Sequence, residues 1–218
     1  GSVNAVEHQQ SKQFITALGL HLTPLGIGDD ESRISISQWS YGSNYEEYSF
    51  PSVGATFTTL QSDLIAYSSS ARPFGGLTNP YTALLKAYQW VQQDPIPGTR
   101  EEQPIIILMT DASCRQIPGN ISSLATQIKN SGITIVVLAI DAAASCTALT
   151  GENVASSGAY FSAADYATLQ NDALAYINFI KNEICGPGDP YIDLSPEISS
   201  FEIFNCTTSP VDTLIYTI

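Results

Sequence analysis

Positive charge is what this chain lacks most. Its 218 residues carry 8 Lys and Arg against 21 Asp and Glu, a formal net charge of -13. A phosphate backbone is repelled by such a surface, which excludes nucleic acid as a partner, and an anionic membrane surface is excluded for the same reason. Long apolar runs are also missing. The most hydrophobic stretches, Pro104 to Met109 and Ile133 to Ile140, have the length of buried strands and fall short of the roughly 18 residues of a membrane helix, so no membrane insertion is expected. The N-terminus shows no charged-then-apolar leader, so any signal peptide is expected to have been removed or to lie upstream. There is no C-x-x-C pair, nucleophile elbow, phosphate loop or dinucleotide fingerprint. Zinc-ribbon, thioredoxin-like and common cofactor chemistries therefore have no foothold, and no enzyme is expected.

What is present fits one extracellular domain. The four cysteines are Cys114, Cys146, Cys185 and Cys206. An even count beside two N-glycosylation sequons, at Asn120 and Asn205, points to a secreted protein with two disulfides. Four cysteines allow three pairings. Cys114 with Cys146, each just after a strand end, and Cys185 with Cys206 form one candidate set, and each bridge would stabilise by roughly 2–4 kcal/mol.

Periodicity alternates along the chain. A helix is expected over Val3 to Leu22, with His8 and His21 on its surface or boundary. Arg33 to Trp39 has the alternation of a strand, and Glu46 to Phe50 reads as a second. Thr56 to Tyr67 and Tyr81 to Gln93 read as helices on either side of Gly75-Gly76. Pro104 to Met109 and Ile133 to Ile140 read as strands covered on both faces, separated by a helix over Ile121 to Asn130 that Gly132 ends. A short helix near Cys146 to Leu149, a strand over Gly158 to Phe161 and one long helix from Asp165 through Glu183 complete this part. Alternation of this kind implies a doubly wound, mostly parallel α/β sheet with helices on both faces, whose ligands meet the loops after the strand ends. Gly186-Pro187-Gly188-Asp189-Pro190 then marks a change of texture. Residues 1–185 are one domain on this reading, and 186–218 are a linker with β-rich pieces at Ser199 to Phe204 and Asp212 to Ile218.

Three segments carry a resemblance. Gly75-Gly76-Leu77-Thr78-Asn79-Pro80 precedes a helix, Ile105 to Thr110 runs into Asp111, and Phe161 leads through Asp165 to the helix ending at Cys185. In this order they resemble the von Willebrand factor A family over about residues 1–185. The family's metal-ion-dependent adhesion site joins a D-x-S-x-S loop, a threonine loop and a T-D-G loop. The resemblance implies Ser2, Asn4, Thr78 and Asp111 as the matching positions for Mg2+ or Ca2+. Hard cations of this kind take oxygen ligands and leave a position for a partner's carboxylate. Three departures stand out. The leading aspartate is absent before Ser2, Asn4 replaces the second serine, and Ala112 stands where glycine is common. The site is thus expected to be degenerate or split. Gly1-Ser2 can alternatively be read as a remnant of cloning.

The family's first strand is central in the sheet, with the form Pro-x-Asp followed by an apolar run. Here that form occurs at the other end, in Pro210-Val211-Asp212-Thr213-Leu214-Ile215-Tyr216-Thr217-Ile218. The expectation is that Asp212 to Ile218 fills the central gap, either in a neighbouring copy or by folding back in cis. The linker, up to about 80 Å when extended, permits both. Donation to a neighbour is preferred, giving a homo-oligomer or polymer. The expected function is an extracellular structural or adhesive domain that self-assembles or sits in a tandem array, binding copies of itself or protein ligands, with metal-dependent ligand binding as the alternative. Asp141 and Asp29-Asp30-Glu31 read as solvated loop carboxylates rather than calcium ligands.

Overall fold

The computed structural model describes residues 3–22, 33–39, 45–47, 57–58, 61–70, 79–93, 104–112, 114, 117, 119–185 and 212–217. Its elements in chain order are α1 (Ala5–Leu22), β1 (Arg33–Trp39), β2 (Tyr45–Glu47), β3 (Phe57–Thr58), α2 (Gln61–Ser70), α3 (Pro80–Gln93), β4 (Ile105–Thr110), α4 (Ile121–Asn130), β5 (Thr134–Ile140), β6 (Tyr160–Ala163), α5 (Tyr166–Asn171), α6 (Ala173–Cys185) and β7 (Asp212–Thr217).

The strands form one sheet in the order β2-β1-β7-β4-β5-β6, with β3 paired to β1. β1, β7, β4, β5 and β6 run parallel, and β2 and β3 are antiparallel to β1. The alternation of side chains along β4 and β5 explains the two layers. Ile105, Ile107 and Met109 share one core with Val136, Leu138 and Ile140, against Phe14, Ile15 and Leu18 of α1 and Ile177 and Ile180 of α6. Ile106 and Leu108 share the opposite core with Ile135, Val137 and Ala139, against Leu84 and Tyr88 of α3 and Leu124 and Ile128 of α4. Both faces of these strands are dry, so they are continuously apolar rather than alternating. The α4–β5 connection is tight because Gly132, at φ 79°, adopts the left-handed conformation. The Gly132 N–H then reaches the Lys129 carbonyl and the Ile133 N–H the Ile128 carbonyl, closing the helix end.

β7 lies between β1 and β4. It pairs along Arg33–Gln38 on one side and Ile105–Leu108 on the other, parallel to both. Asp212, Thr213, Leu214, Ile215, Tyr216 and Thr217 therefore complete the middle of the sheet of their own chain, the cis arrangement. Ile218 lies outside the described residues. The cis return has a simple cause: residues 186–211 are long enough to bring the strand back, and closing a loop of that length costs little more entropy than closing a shorter one.

Several local expectations are corrected. Phe57 and Thr58 form β3, so the helix expected over Thr56 to Tyr67 begins at Gln61. The turn of helix expected at Cys146 to Leu149 is displaced to 3-10 turns at Asp141–Ser145 and Gly151–Asn153. The single helix expected after Asp165 is broken at Asp172 into α5 and α6. His8, expected at a surface or boundary, is only 3% exposed, beside buried Ser11 and Lys12. α1 packs against α2 as well as α5 and α6, so more than one of its sides is covered, while Val6, Gln9 and Gln13 stay exposed. The side chains of His21 and Cys185, and all of Ser199 to Phe204, lie outside what is described.

Ile107 is fully buried at the centre of β4. Ile107→Ala is expected to lower unfolding free energy by about 2–5 kcal/mol, measured by urea denaturation with unchanged m-value.

Candidate binding edge

The parallel strands point their carboxyl ends to one edge, where ligands of parallel α/β sheets commonly bind. β4 ends at buried Thr110 and runs into Asp111, 8% exposed. The Ala112 backbone N–H donates to Thr110 Oγ1 at 3.1 Å, which turns the chain sharply at the strand end. β5 runs into Asp141, which is exposed and adopts φ 50°. Left-handed backbone at a non-glycine residue is uncommon and gathers at functional loops; aspartate is among the residues that tolerate it. After β6, Asp165 accepts a 2.6 Å hydrogen bond from the Thr168 N–H and caps α5. That bond holds the Asp165 carboxyl below its usual range.

Tyr166 follows the cap and is 4% exposed. Burial first, then the negative charges of Asp111, Glu7 and Asp141, push its phenol upward, so it stays neutral at physiological pH. These causes bring together α1, β4, β5 and α5 around one hydroxyl.

Asn4 has a defined task. Its Oδ1 accepts from the backbone N–H groups of Val6 at 2.9 Å and Glu7 at 3.1 Å. Glu7 Oε2 in turn accepts from the Asn4 N–H at 2.7 Å. This reciprocal pattern is a capping box, and it occupies both lone pairs of the amide oxygen. The Asn4-x-x-Glu7 spacing is the sequence signal of a helix start, which the reading of Asn4 as a metal position passed over. Ser2 and Thr78 lie outside the described residues. Asn79, the neighbour of Thr78, accepts from the Thr82 N–H at 3.3 Å and caps α3. Of the four positions the resemblance implied, the described ones leave Asp111 as a candidate ligand and Asn4 committed elsewhere. Among the described residues, no group of three or more His, Cys, Asp or Glu is placed to hold a metal ion.

A disulfide joins Cys114 to Cys146 across the same edge, with Cα atoms 5.0 Å apart. It ties the segment after β4 to the segment after β5. Cys146 is buried among Ala143, Leu149 and their neighbours, and Cys114 is exposed. Asn120, the first sequon asparagine, is exposed and its side chain makes no capping bond at the start of α4. Asn205 and Cys206 lie outside the described residues.

A model of the von Willebrand factor type A domain matches residues 1–173. The chain belongs to that family. A-type domains are typically non-catalytic, in keeping with the missing enzyme motifs. No curated protein sequence gives a match. Solved structures do. One crystal form of proximal thread matrix protein 1 from the mussel byssus is 22% identical, with a TM-score of 0.63. Another structure of that protein, described as having a zinc-occupied MIDAS motif, is 21% identical with a TM-score of 0.62. In both, the match covers 81% of this chain and 43% of the other, so this A-type domain spans less than half of those structures. No described helix is long and apolar enough to cross a membrane.

Two outcomes follow from this geometry. Asn4→Ala is expected to cost about 1 kcal/mol by loss of the cap, seen as a lower thermal midpoint at unchanged fold. Replacing Cys114 and Cys146 together by Ser is expected to cost about 3–4 kcal/mol for a closed loop of this size, measured by denaturation of both proteins without reductant.

Proposed function

We propose that this chain is an extracellular structural or adhesive A-type domain that associates with copies of itself. The observation that carries this reading is the position of β7. A strand from the far end of the chain, on a long tether, occupies the middle of the sheet. A slot filled in this way is open in principle to the equivalent strand of a second molecule, whose backbone offers the same hydrogen bonds. Exchange from copy to copy, with Asp212 to Ile218 as donor, gives closed rings or open chains according to geometry. The likeness to a byssus thread matrix protein supports the structural side of this reading.

A metal-dependent reading is favoured by one observation, the zinc-occupied MIDAS motif of the related structure. In that case Mg2+, Ca2+ or Zn2+ would be held at this edge by Ser2, Thr78 and Asp111, and Asn4 would have to leave its cap. Chelation separates the two readings, because strand exchange needs no cation.

The test alters the tether. Deleting about half of residues 186–211 removes the slack needed for cis return. The shortened chain is expected to form dimers or longer assemblies by light scattering and electron microscopy, undiminished by EDTA. A shortened chain that stays monomeric and folded at high concentration, or assemblies of the full chain that EDTA dissolves, would overturn strand exchange.

A further inference from the structure

We propose that Asn120 carries an N-linked oligosaccharide on the folded domain, set at the rim of the sheet's carboxyl edge. The inference rests on the reading of this chain as extracellular, and it assigns a modification to one side chain.

The local sequence is Pro118-Gly119-Asn120-Ile121-Ser122-Ser123. Asn120-Ile121-Ser122 is an acceptor triplet for N-glycosylation, and no proline follows Asn120 to spoil it. Such triplets are frequent by chance, so the surroundings of this one decide the matter. Gly119 and Asn120 form an exposed turn. A β-carbon added at Gly119 would meet nothing within 4 Å, so the space next to the asparagine is open.

The side chain also has no capping duty. Asn120 stands at the N-cap of α4, but with φ -88° and ψ 0° it has helical backbone values and makes no side-chain cap bond. A capping asparagine has an extended backbone and gives its Oδ1 to the helix start, as the Asn4 Oδ1 does for α1. At α4 the backbone serves instead: the Leu124 N–H donates to the Asn120 carbonyl at 3.1 Å. A bulky, hydrated sugar on the Asn120 amide therefore breaks no cap and points to solvent.

Ile121 and Ser122 set the timing. Ile121 is 1% exposed, and Ser122 Oγ donates to the Asn153 carbonyl at 3.0 Å. A transferase reads the serine hydroxyl together with the asparagine, so transfer precedes the packing of Gly151–Asn153 against α4. In that step the Asn120 amide nitrogen bonds to the anomeric carbon of an oligosaccharide linked to a lipid diphosphate. The bond from that carbon to the diphosphate oxygen breaks, the lipid diphosphate leaves, and the nitrogen gives up one proton. Folding then buries Ile121 and leaves the sugar outside.

Topology fixes where the sugar stands. β4 and β5 are parallel neighbours, and α4 is the crossover between them. α4 therefore starts at the end where β4 stops and runs back to where β5 begins. It shares its core with α3, on the sheet face opposite α1. The oligosaccharide lies on that side of the carboxyl edge, away from α1.

The test produces the full chain behind a cleavable secretory leader in a eukaryotic cell and maps the secreted protein. Trypsin separates the peptide from Gln116 to Lys129, which holds Asn120, from the peptide after Lys181, which holds Asn205. A peptide N-glycosidase acting in heavy-oxygen water converts an occupied asparagine to labelled aspartate. Label is expected at position 120 in the wild-type chain and in Ser122→Thr, and not in Asn120→Gln or Ser122→Ala. Ser122→Thr keeps a hydroxyl and separates loss of the acceptor triplet from a folding defect. An unlabelled Asn120 in secreted chains whose Cys114–Cys146 bridge is closed would overturn the proposal. So would label confined to chains with that bridge open, because the sugar would then mark a misfolded fraction. Closure of the bridge in the secreted chain is the separate readout of the extracellular reading, so the two fail independently.

Discussion

The hydrogen bonds that β7 makes on both of its edges hold this molecule together. β1, β2 and β3 form one piece of sheet, and β4, β5 and β6 another. Among the described residues no ladder joins the two pieces directly; the pairing between them passes through Asp212 to Thr217. Without that strand, β1 and β4 would each expose an unpaired edge. The helices cannot substitute, because they cover the faces of the sheet and do not supply ladder partners. Side chains on both faces of β4 then build the two cores, so the packing of α1 and α6 on one side and of α3 and α4 on the other presupposes a complete sheet.

The same construction determines the character of the binding edge. Parallel strands place all their carboxyl ends together, and in this chain each of the last three inherits an aspartate. The family's way of managing such negative charge is a cation held by hydroxyls and carboxylates. Here one expected ligand has become a helix cap: Asn4 supplies its amide oxygen to Val6 and Glu7, and Glu7 returns the favour to the Asn4 N–H. A residue that starts α1 well is thereby withdrawn from coordination. The disulfide between Cys114 and Cys146 keeps two of the edge loops in register.

Much of the architecture was legible beforehand, for physical reasons. β4, α4 and β5 were placed within a residue because their patterns are strong: an unbroken apolar run, a 3.6-residue period and a glycine stop. The central place of Asp212 to Thr217 was legible only by resemblance, since its composition alone fits an edge strand equally well. Where tertiary contacts override local pattern, the expectations slipped. Phe57 and Thr58 read as the start of a helix but pair with β1. Asp172 interrupts what periodicity reads as one helix, and α5 and α6 meet the core separately. His8 looked polar enough for solvent and is buried, in a helix that packs against α2, α5 and α6. At the edge, Asp111 and Asp165 were visible as strand-end and cap residues. Tyr166 was not, because an aromatic at a helix start reads as ordinary core until the carboxylates around it are located in space.

The late position of β7 in the polypeptide has a consequence for biosynthesis. A chain emerging from the ribosome presents β1 and β4 long before the residues that will sit between them. During that interval the nascent molecule has two half-sheets with bare edges and cannot close its native topology. Contacts between residues near 35 and near 215 are among the most distant in sequence that this fold contains, and such non-local pairing is slow to form. The growing chain is therefore exposed to edge-to-edge misassociation until residues 212–217 have been made. Whatever holds those edges apart in the meantime acts as a placeholder for a strand that has yet to be made.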